Sequence, residues 1–405
     1  MTPRLGIHLI ACCFASGLAS CDGEADRVGG APTSAKGTAS VVAASGKRRV
    51  NVDLPSLPLR GATEEERTRF KEGDALFEAV VRESDGLGPL YIRDACAACH
   101  AADGRGPGLV TKVVLSDADR GRATELLPFG PTERPYAVAG ASQPLLAPRR
   151  DGVTTTVRQP PAVFGRGYLE AIAEAELLRL EAEAGRRTGS IRGRLHRHRN
   201  GKIGRFGVKA RIANLRDFTV DALNGDMGIT TAEMPAEAPG PEGLQDDKKP
   251  GVDFSAEQVT RITDYIRLLE IPERRPKAPR GAALFAQVGC ATCHVPSLRT
   301  EARFMVPTLS DIDAPVYTDL LLHDMGRAFS DGQIEGDAGP SEFRTPPLIG
   351  LRFLPTLLHD GRARTVDQAI LAHGEPDSEA RDAVALFRAL ADAERQELVN
   401  FVEAL

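Results

Sequence analysis

Two pentapeptides of one type stand far apart in the chain: Cys96-Ala97-Ala98-Cys99-His100 and Cys290-Ala291-Thr292-Cys293-His294. In a Cys-x-x-Cys-His unit two thiols can add to the vinyl groups of one haem. The histidine beside the second cysteine is then held under the iron as an axial ligand. A zinc site would need further Cys or His at close spacing, and neither copy has them. A thioredoxin-like redox pair or a structural disulfide needs no following histidine. Two covalently bound haem c groups are therefore predicted, on Cys96, Cys99 and His100 and on Cys290, Cys293 and His294, with the histidines as metal ligands.

The remaining cysteines describe the start of the chain. Of seven in all, Cys12, Cys13 and Cys21 lie in the first 21 residues. One charge (Arg4), an apolar run from Leu5 to Leu18 and the ending Leu18-Ala19-Ser20-Cys21 read as a secretory signal over residues 1–20. The run is too short to span a bilayer as a stable helix. The ending resembles a lipoprotein cleavage box with lipidation at Cys21; the alternative is an ordinary signal cut near Ala19 or Ser20. Residues 21–60, rich in Gly, Ala, Ser and Thr, read as a flexible tether. The expectation is an exported bacterial lipoprotein, membrane-anchored and facing the periplasm. Haem attachment outside the cytoplasm agrees with that, and no spare thiol is left for a disulfide. A net charge of −5 points away from nucleic acid.

Helices must carry the two haem motifs. Apolar periodicity predicts one over Phe70 to Val81 before the first motif and one over Gly281 to Val288 before the second. Each half closes on another: one opens at Ser255, a plausible N-cap, and ends at Leu269, and one runs from Ala391 to Leu405. A haem helix packed on a terminal helix is the core of a cytochrome c fold. The predicted fold class is mainly α, with two cytochrome c-like domains, 61–277 and 278–405. Pro272, Pro276 and Pro279 punctuate the join. The first domain carries a long, loop-rich insert with one clear helix, Tyr168 to Glu183. That is more than electron shuttling requires, and it suggests a built pocket. Residues 186–205 form a dense basic run, read either as a docking patch for an acidic redox partner or as a solvated loop.

Further segments occur in order along the chain: Asp85-Gly86-Leu87-Gly88-Pro89-Leu90, Gly167-Tyr168-Leu169-Glu170-Ala171-Ile172, Gly204-Arg205-Phe206-Gly207 and Asn224-Gly225-Asp226-Met227-Gly228. Thr318 to Gly326, Arg344-Thr345-Pro346-Pro347-Leu348 and His359-Asp360-Gly361-Arg362-Ala363 follow. From about residue 64 to the end the chain resembles the bacterial di-haem c oxidoreductases of the thiol oxidoreductase-like kind. These are relatives of the di-haem cytochrome c peroxidases and of the di-haem enzyme that matures methylamine dehydrogenase.

The resemblance implies roles. In the related peroxidases an axial ligand lies fourteen residues after the His of a His-Asp-Gly segment, which here is His373, chosen over His323 and His359. Arg344 and Arg362 are natural partners for haem propionates. The peroxidase acid/base position, just before Met-Gly, is held by Asp226, with Glu170 as second choice. Asn-Gly-Asp also reads as a plain turn. A glutamine and a bridging tryptophan of the relatives are missing, for the chain contains no Trp; Phe206 or Tyr168 is left as an inter-haem path. A calcium ion between the domains stays open. The functional expectation is a peroxidase-type enzyme that takes electrons from a small redox protein or cytochrome at the C-terminal haem and reacts with hydrogen peroxide at the N-terminal haem. The alternatives are a non-catalytic membrane-tethered di-haem electron carrier and an oxidase acting on a partner protein.

Overall fold

The apolar positions at helical spacing do form helices, and in each half two of them cross beside a haem motif. The structure, a computed structural model, describes residues 56–103, 108–139, 144–237, 240, 251–274 and 278–405. The predicted signal, Cys21, most of the tether and Pro276 lie outside the described residues.

Helix α1 (Glu64–Glu78) starts earlier than its apolar stripe suggests, because Thr63 and Glu66 close a capping box upstream of the first buried aromatic, Phe70. One turn, α2 (Cys96–Cys99), carries the first haem motif, and another, α3 (Ala123–Leu126), lies in the insert. The single helix expected over Tyr168 to Glu183 is two, α4 (Arg166–Ala171) and α5 (Glu174–Arg186). They part at Ile172, which pairs with Thr300, and at Ala173, whose N–H bonds the Arg299 carbonyl. Tertiary pairing overrides helical propensity there. Helix α6 (Leu215–Met227) is capped by Asn214 and stopped by Gly228 at φ +72°. Asn224-Gly225-Asp226 is therefore its last turn, not a free-standing one. Helix α7 (Ala256–Leu268) opens on a capping box of Ser255 and Gln258.

Helices α1 and α7 meet backbone to backbone. A Cβ at Gly73 would lie 2.1 Å from the Arg261 carbonyl oxygen and 2.6 Å from the Tyr265 Cβ. Phe77 and Tyr265 close the contact from either side and are buried. Each such side chain stabilises the fold by about 1.5–3 kcal/mol. The second half holds α8 (Pro279–Gln287), α9 (Val366–Ala372), α10 (Arg381–Ala389) and α11 (Asp392–Glu403). There α8 meets α11 in the same way. A Cβ at Gly281 would lie 2.4 Å from the Glu397 carbonyl oxygen and 2.5 Å from the Phe401 Cβ.

Strands β1 (Leu90–Tyr91), β2 (Val110–Leu115), β3 (Tyr136–Ala137) and β4 (Val153–Arg158) pair antiparallel as β1–β3 and β2–β4. Beyond them β5 (Leu298–Arg299) pairs with β6 (Asp313–Ala314), and β7 (Leu322–Asp324) with β8 (Glu342–Arg344). The β2–β4 ribbon turns part of the expected loop-rich insert into ordered structure. Its Val and Thr residues suit a half-buried strand.

The ribbon is tied to the second half. Gln333 donates to the Val113 carbonyl at 2.8 Å, and Arg158 grips Asp331 through Nε and Nη2 at 2.8 and 2.6 Å. Arg158 also bonds Glu335, which faces Arg211, and Arg211 bonds Asp221; at the other end Lys209 lies 3.3 Å from Asp331. The result is a ladder of alternating charge, largely buried, in which each ion has an opposite neighbour.

At the N-terminal side Leu59 is buried and donates to the Leu268 carbonyl, while the Leu57 carbonyl accepts from Glu270. The chain is thus strapped to α7 from Leu57, before the expected tether limit at 60. The larger apolar core joins Phe77, Phe164 and Tyr265 with Leu309 and Ile349, and a second gathers Phe285, Phe387 and Phe401. Among the described residues no helix is long and apolar enough to cross a membrane.

Candidate functional site

Each haem motif opens into its own cavity. The first, about 90 Å³, is lined by Cys96, Cys99 and His100 together with Phe206, Asp226 and Met227. The second, about 230 Å³, is lined by Cys290, Cys293 and His294 with His323, His359 and His373. The cysteines of each motif are not bonded to one another. Burial pushes the Cys96 and Cys290 thiols up to about 12.

Both motif histidines are neutral imidazoles, the form that binds iron. Burial pushes His294 down to about 4, helped by nearby His373, and pushes His100 to about 4 as well. His294 Nδ1 lies 3.1 Å from the Tyr317 carbonyl, which orients the ring and leaves Nε2 as the free nitrogen. Tyr317 holds φ +50°, a strained angle for a non-glycine residue, in presenting that carbonyl. His100 Nδ1 is buried too, with the Pro161 backbone as the acceptor beside its ring. In both halves, then, two thiols and an imidazole face a largely apolar cavity, and this donor set fits a c-type haem.

His373 caps the C-terminus of α9, and its Nδ1 lies 2.6 Å from the Ala369 carbonyl. Burial lowers its pKa, so it too offers a neutral ring to the second cavity. His359 lines the same cavity, stacked 4.3 Å from Phe343, and burial pushes it to about 4. His323 differs. Burial pulls it down, yet Cys293 and Asp319 lift it well above the ordinary value, and its ring nitrogens lie 3.0 Å from Asp319 and 2.7 Å from Glu379. Its ring stands between two carboxylates, which favour the charged form. Among the described residues the one His, Cys and carboxylate group close enough to share an ion is Cys293, Asp319 and His323. That is not the oxygen cage calcium takes.

Asp226 is held in the first cavity by the last turn of α6, with Ile92 donating to its backbone carbonyl at 2.7 Å. Burial raises its carboxyl to about 6. Lys112 opposes this, Asp221 adds to it, and Arg134 and Arg211 oppose it more weakly. The result is a carboxyl that exchanges its proton near neutrality, as acid/base work needs. Lys112 comes from β2 and Arg134 from beside β3, so the insert supplies the field at Asp226. Sequence reasoning missed both; the Val/Thr runs at 110–115 and 153–158 were the signal for their scaffold. Glu170 is not brought to either cavity. Its carboxylate is taken by Arg267 at 2.6 Å and by the Leu215 N–H at 2.9 Å.

Pro161, Ala162, Arg166, Gly207 and Arg344 line both cavities and form the wall between them, with no aromatic ring among the five. Arg344 is buried there and donates to the Gly207 and Thr345 carbonyls. Arg166, unnoticed in the sequence, shares that position. Arg362 stands outside, paired with Asp360 at 2.6 Å. Of the two expected path residues, Phe206 faces the first cavity, and Tyr168 instead bonds Glu270 at 2.6 Å. Part of the basic run is spent inside the fold, while Arg186, Arg192, Arg199 and Lys202 stay exposed. Arg205 clamps the carbonyls of Leu169, Glu170 and Ile172; Arg194 holds Glu342 and Asp337; Arg197 holds Glu181.

No curated protein matches the chain. Solved structures resemble it at 14% identity. They include hydrazine synthase of Kuenenia stuttgartiensis (90% of this chain, 99% of that one, TM-score 0.37) and a MauG-like protein associated with microbial copper homeostasis (87%, 92%, 0.40). The diheme peroxidase BthA of Burkholderia thailandensis E264 is another (84%, 86%, 0.39). Superpositions this loose carry no argument. The decisive match is to the profile of the family described as "Di-haem oxidoreductase, putative peroxidase", over residues 148–405. With two cavities that each present the donor set for a haem, the chain belongs to this di-haem oxidoreductase family.

Proposed function

We propose that the protein is a di-haem c oxidoreductase of peroxidase type, with haem attached covalently at both motifs. Electrons enter at the second cavity and hydrogen peroxide reacts at the first. The carrying observation is the contrast in polar groups: the second cavity offers neutral His373 with His294, whereas the first offers Asp226, a buried carboxyl poised near pH 6. Haem bound at His100 supplies the redox-active iron for cleaving an O–O bond. Asp226 takes a proton from one peroxide oxygen and returns it to the other, so that the departing oxygen leaves as water. Lys112, Arg134 and Arg211 keep its carboxylate form accessible. His294 and His373 would hold the second haem and suit it to electron relay. Arg344 and Arg166, in the shared wall, offer guanidinium groups to propionates.

The reading extends to place and partner. The chain is tethered through lipid on Cys21, faces the periplasm, and receives electrons from a small redox protein or cytochrome. Spectra of the purified protein, oxidised and half-reduced, test the core of it. One haem is expected to turn high-spin or to bind cyanide and respond to peroxide. Two haems that stay low-spin and inert at every redox level would make the protein an electron carrier instead.

A further inference from the structure

The two helix crossings share a plan but differ by one hydroxyl. Gly73, Phe77 and Tyr265 in the first half correspond to Gly281, Phe285 and Phe401 in the second. Phe401 shows that the packing needs only a ring. The Tyr265 hydroxyl is buried nevertheless, and it donates to Asp103 Oδ1 at 2.5 Å. Asp103 lies three residues past His100 and holds φ +57°, in the left-handed region that Asp tolerates better than most side chains. Its backbone is fixed at both ends, by the His100 carbonyl and by the Val163 N–H. At the matching place after His294 stands Ser297. The first half therefore carries a buried phenol–carboxylate pair that the second half lacks.

That pair is linked to the first haem motif by rings. The Tyr265 ring lies 5.1 Å from Phe77, and Phe77 lies 6.1 Å from His100. On its other side half-buried Asp74 stands near the Tyr265 hydroxyl, and exposed Glu78 stands close enough to Asp103 to feel its charge.

We infer that Tyr265 is an internal one-electron donor to the first haem, with Asp103 as the acceptor of its phenolic proton. The inference rests on the peroxidase reading for its oxidant, the first haem after oxidation by hydrogen peroxide. In the step Tyr265 gives one electron to that centre, its O–H bond breaks, the proton forms a new O–H bond on Asp103, and a neutral phenoxyl radical remains. An electron arriving later from the external donor, with the proton returned, restores the phenol. In a chain with no tryptophan and no ring in the wall between the cavities, Tyr265 is where an oxidising equivalent is held.

The test is electron paramagnetic resonance of the full-length di-haem protein frozen after hydrogen peroxide. A narrow organic radical is expected, narrower still in protein made with ring-deuterated tyrosine. It should vanish in Tyr265→Phe, which Phe401 shows the packing can accept. In Asp103→Asn, which keeps a hydrogen-bond acceptor but no base, formation should slow by about 10²-fold. A signal that persists in Tyr265→Phe overturns the inference, as does an undiminished rate in Asp103→Asn. Where peroxide leaves both haem spectra unchanged, the peroxidase reading fails by itself. A photogenerated ruthenium(III) oxidant then decides the tyrosine: a Tyr265 radical dependent on Asp103 upholds it, and none overturns it.

Discussion

The two halves solve one packing problem with the same parts and then diverge at the polar atoms. Gly73 and Gly281 each let a haem-side helix touch a closing helix, with Phe77 and Phe285 in matching places. Around the first motif stand carboxyls, Asp103 and Asp226. Around the second stand His359 and His373, neutral through burial, and His323, held between carboxylates that favour its charged form. The shared frame can hold a haem in either half. What the haem can do is set by a few side chains that the frame leaves free to vary.

The largest expected effect removes the divergence. Asp226→Ala should slow peroxide turnover by about 10²–10⁴-fold while both haems stay bound, measured by stopped-flow and haem content. Unchanged turnover would leave the two cavities chemically equivalent. The acid/base role also predicts a pH profile. Turnover should rise as pH rises through about 6, where Asp226 becomes a carboxylate, and the limb should vanish in Asp226→Asn. The linkage has the opposite sense. Because the folded value is raised above the ordinary 3.8, the contribution of Asp226 to stability is complete below 3.8 and lost as pH rises through about 6.

His373→Ala sharpens the comparison from the other side. It should change the absorption spectrum and potential of the second haem alone, and an equal change at the first haem would deny the assignment. Next in size, Gly73→Ala and Gly281→Ala should each destabilise the fold by about 1–3 kcal/mol in denaturant titrations. Each should loosen haem at its own motif more than at the other. Smallest are the clamps of the basic run. Arg205→Met, which strands three carbonyls, should destabilise by about 1–3 kcal/mol. Arg197→Met, at an exposed pair, should cost about 0.2–1 kcal/mol.

The two Cys-x-x-Cys-His motifs were legible in the sequence because their spacing is fixed and local, and the closing helices because capping and apolar period agree at Ser255. The place of Asp226 was legible through family resemblance, although its helix was not: Asn-Gly-Asp has turn chemistry, and here it is the last helical turn before the left-handed Gly228, which also packs on Gly88. The ribbon escaped notice because its strands are separated by a long connection, so no hairpin signal joins them. The fate of the basic run was invisible for a related reason. Arg194 and Arg205 find their partners across the fold, and local sequence carries no trace of them. Glu170 shows the converse, a carboxylate well placed in sequence that folding spends on Arg267.

The anchoring of the ribbon also has a consequence in time. Arg158 finds its counter-charges 173 and 177 residues further on, at Asp331 and Glu335. In a chain made from its N-terminus, those carboxylates do not exist while the first haem motif is emerging. Until they do, closing the ribbon would bury Arg158 without a partner, at several kcal/mol. The wall that supplies Lys112 and Arg134 to Asp226 is therefore the last part of the first half to form. The cavity at the first motif is thus completed only once the second half exists.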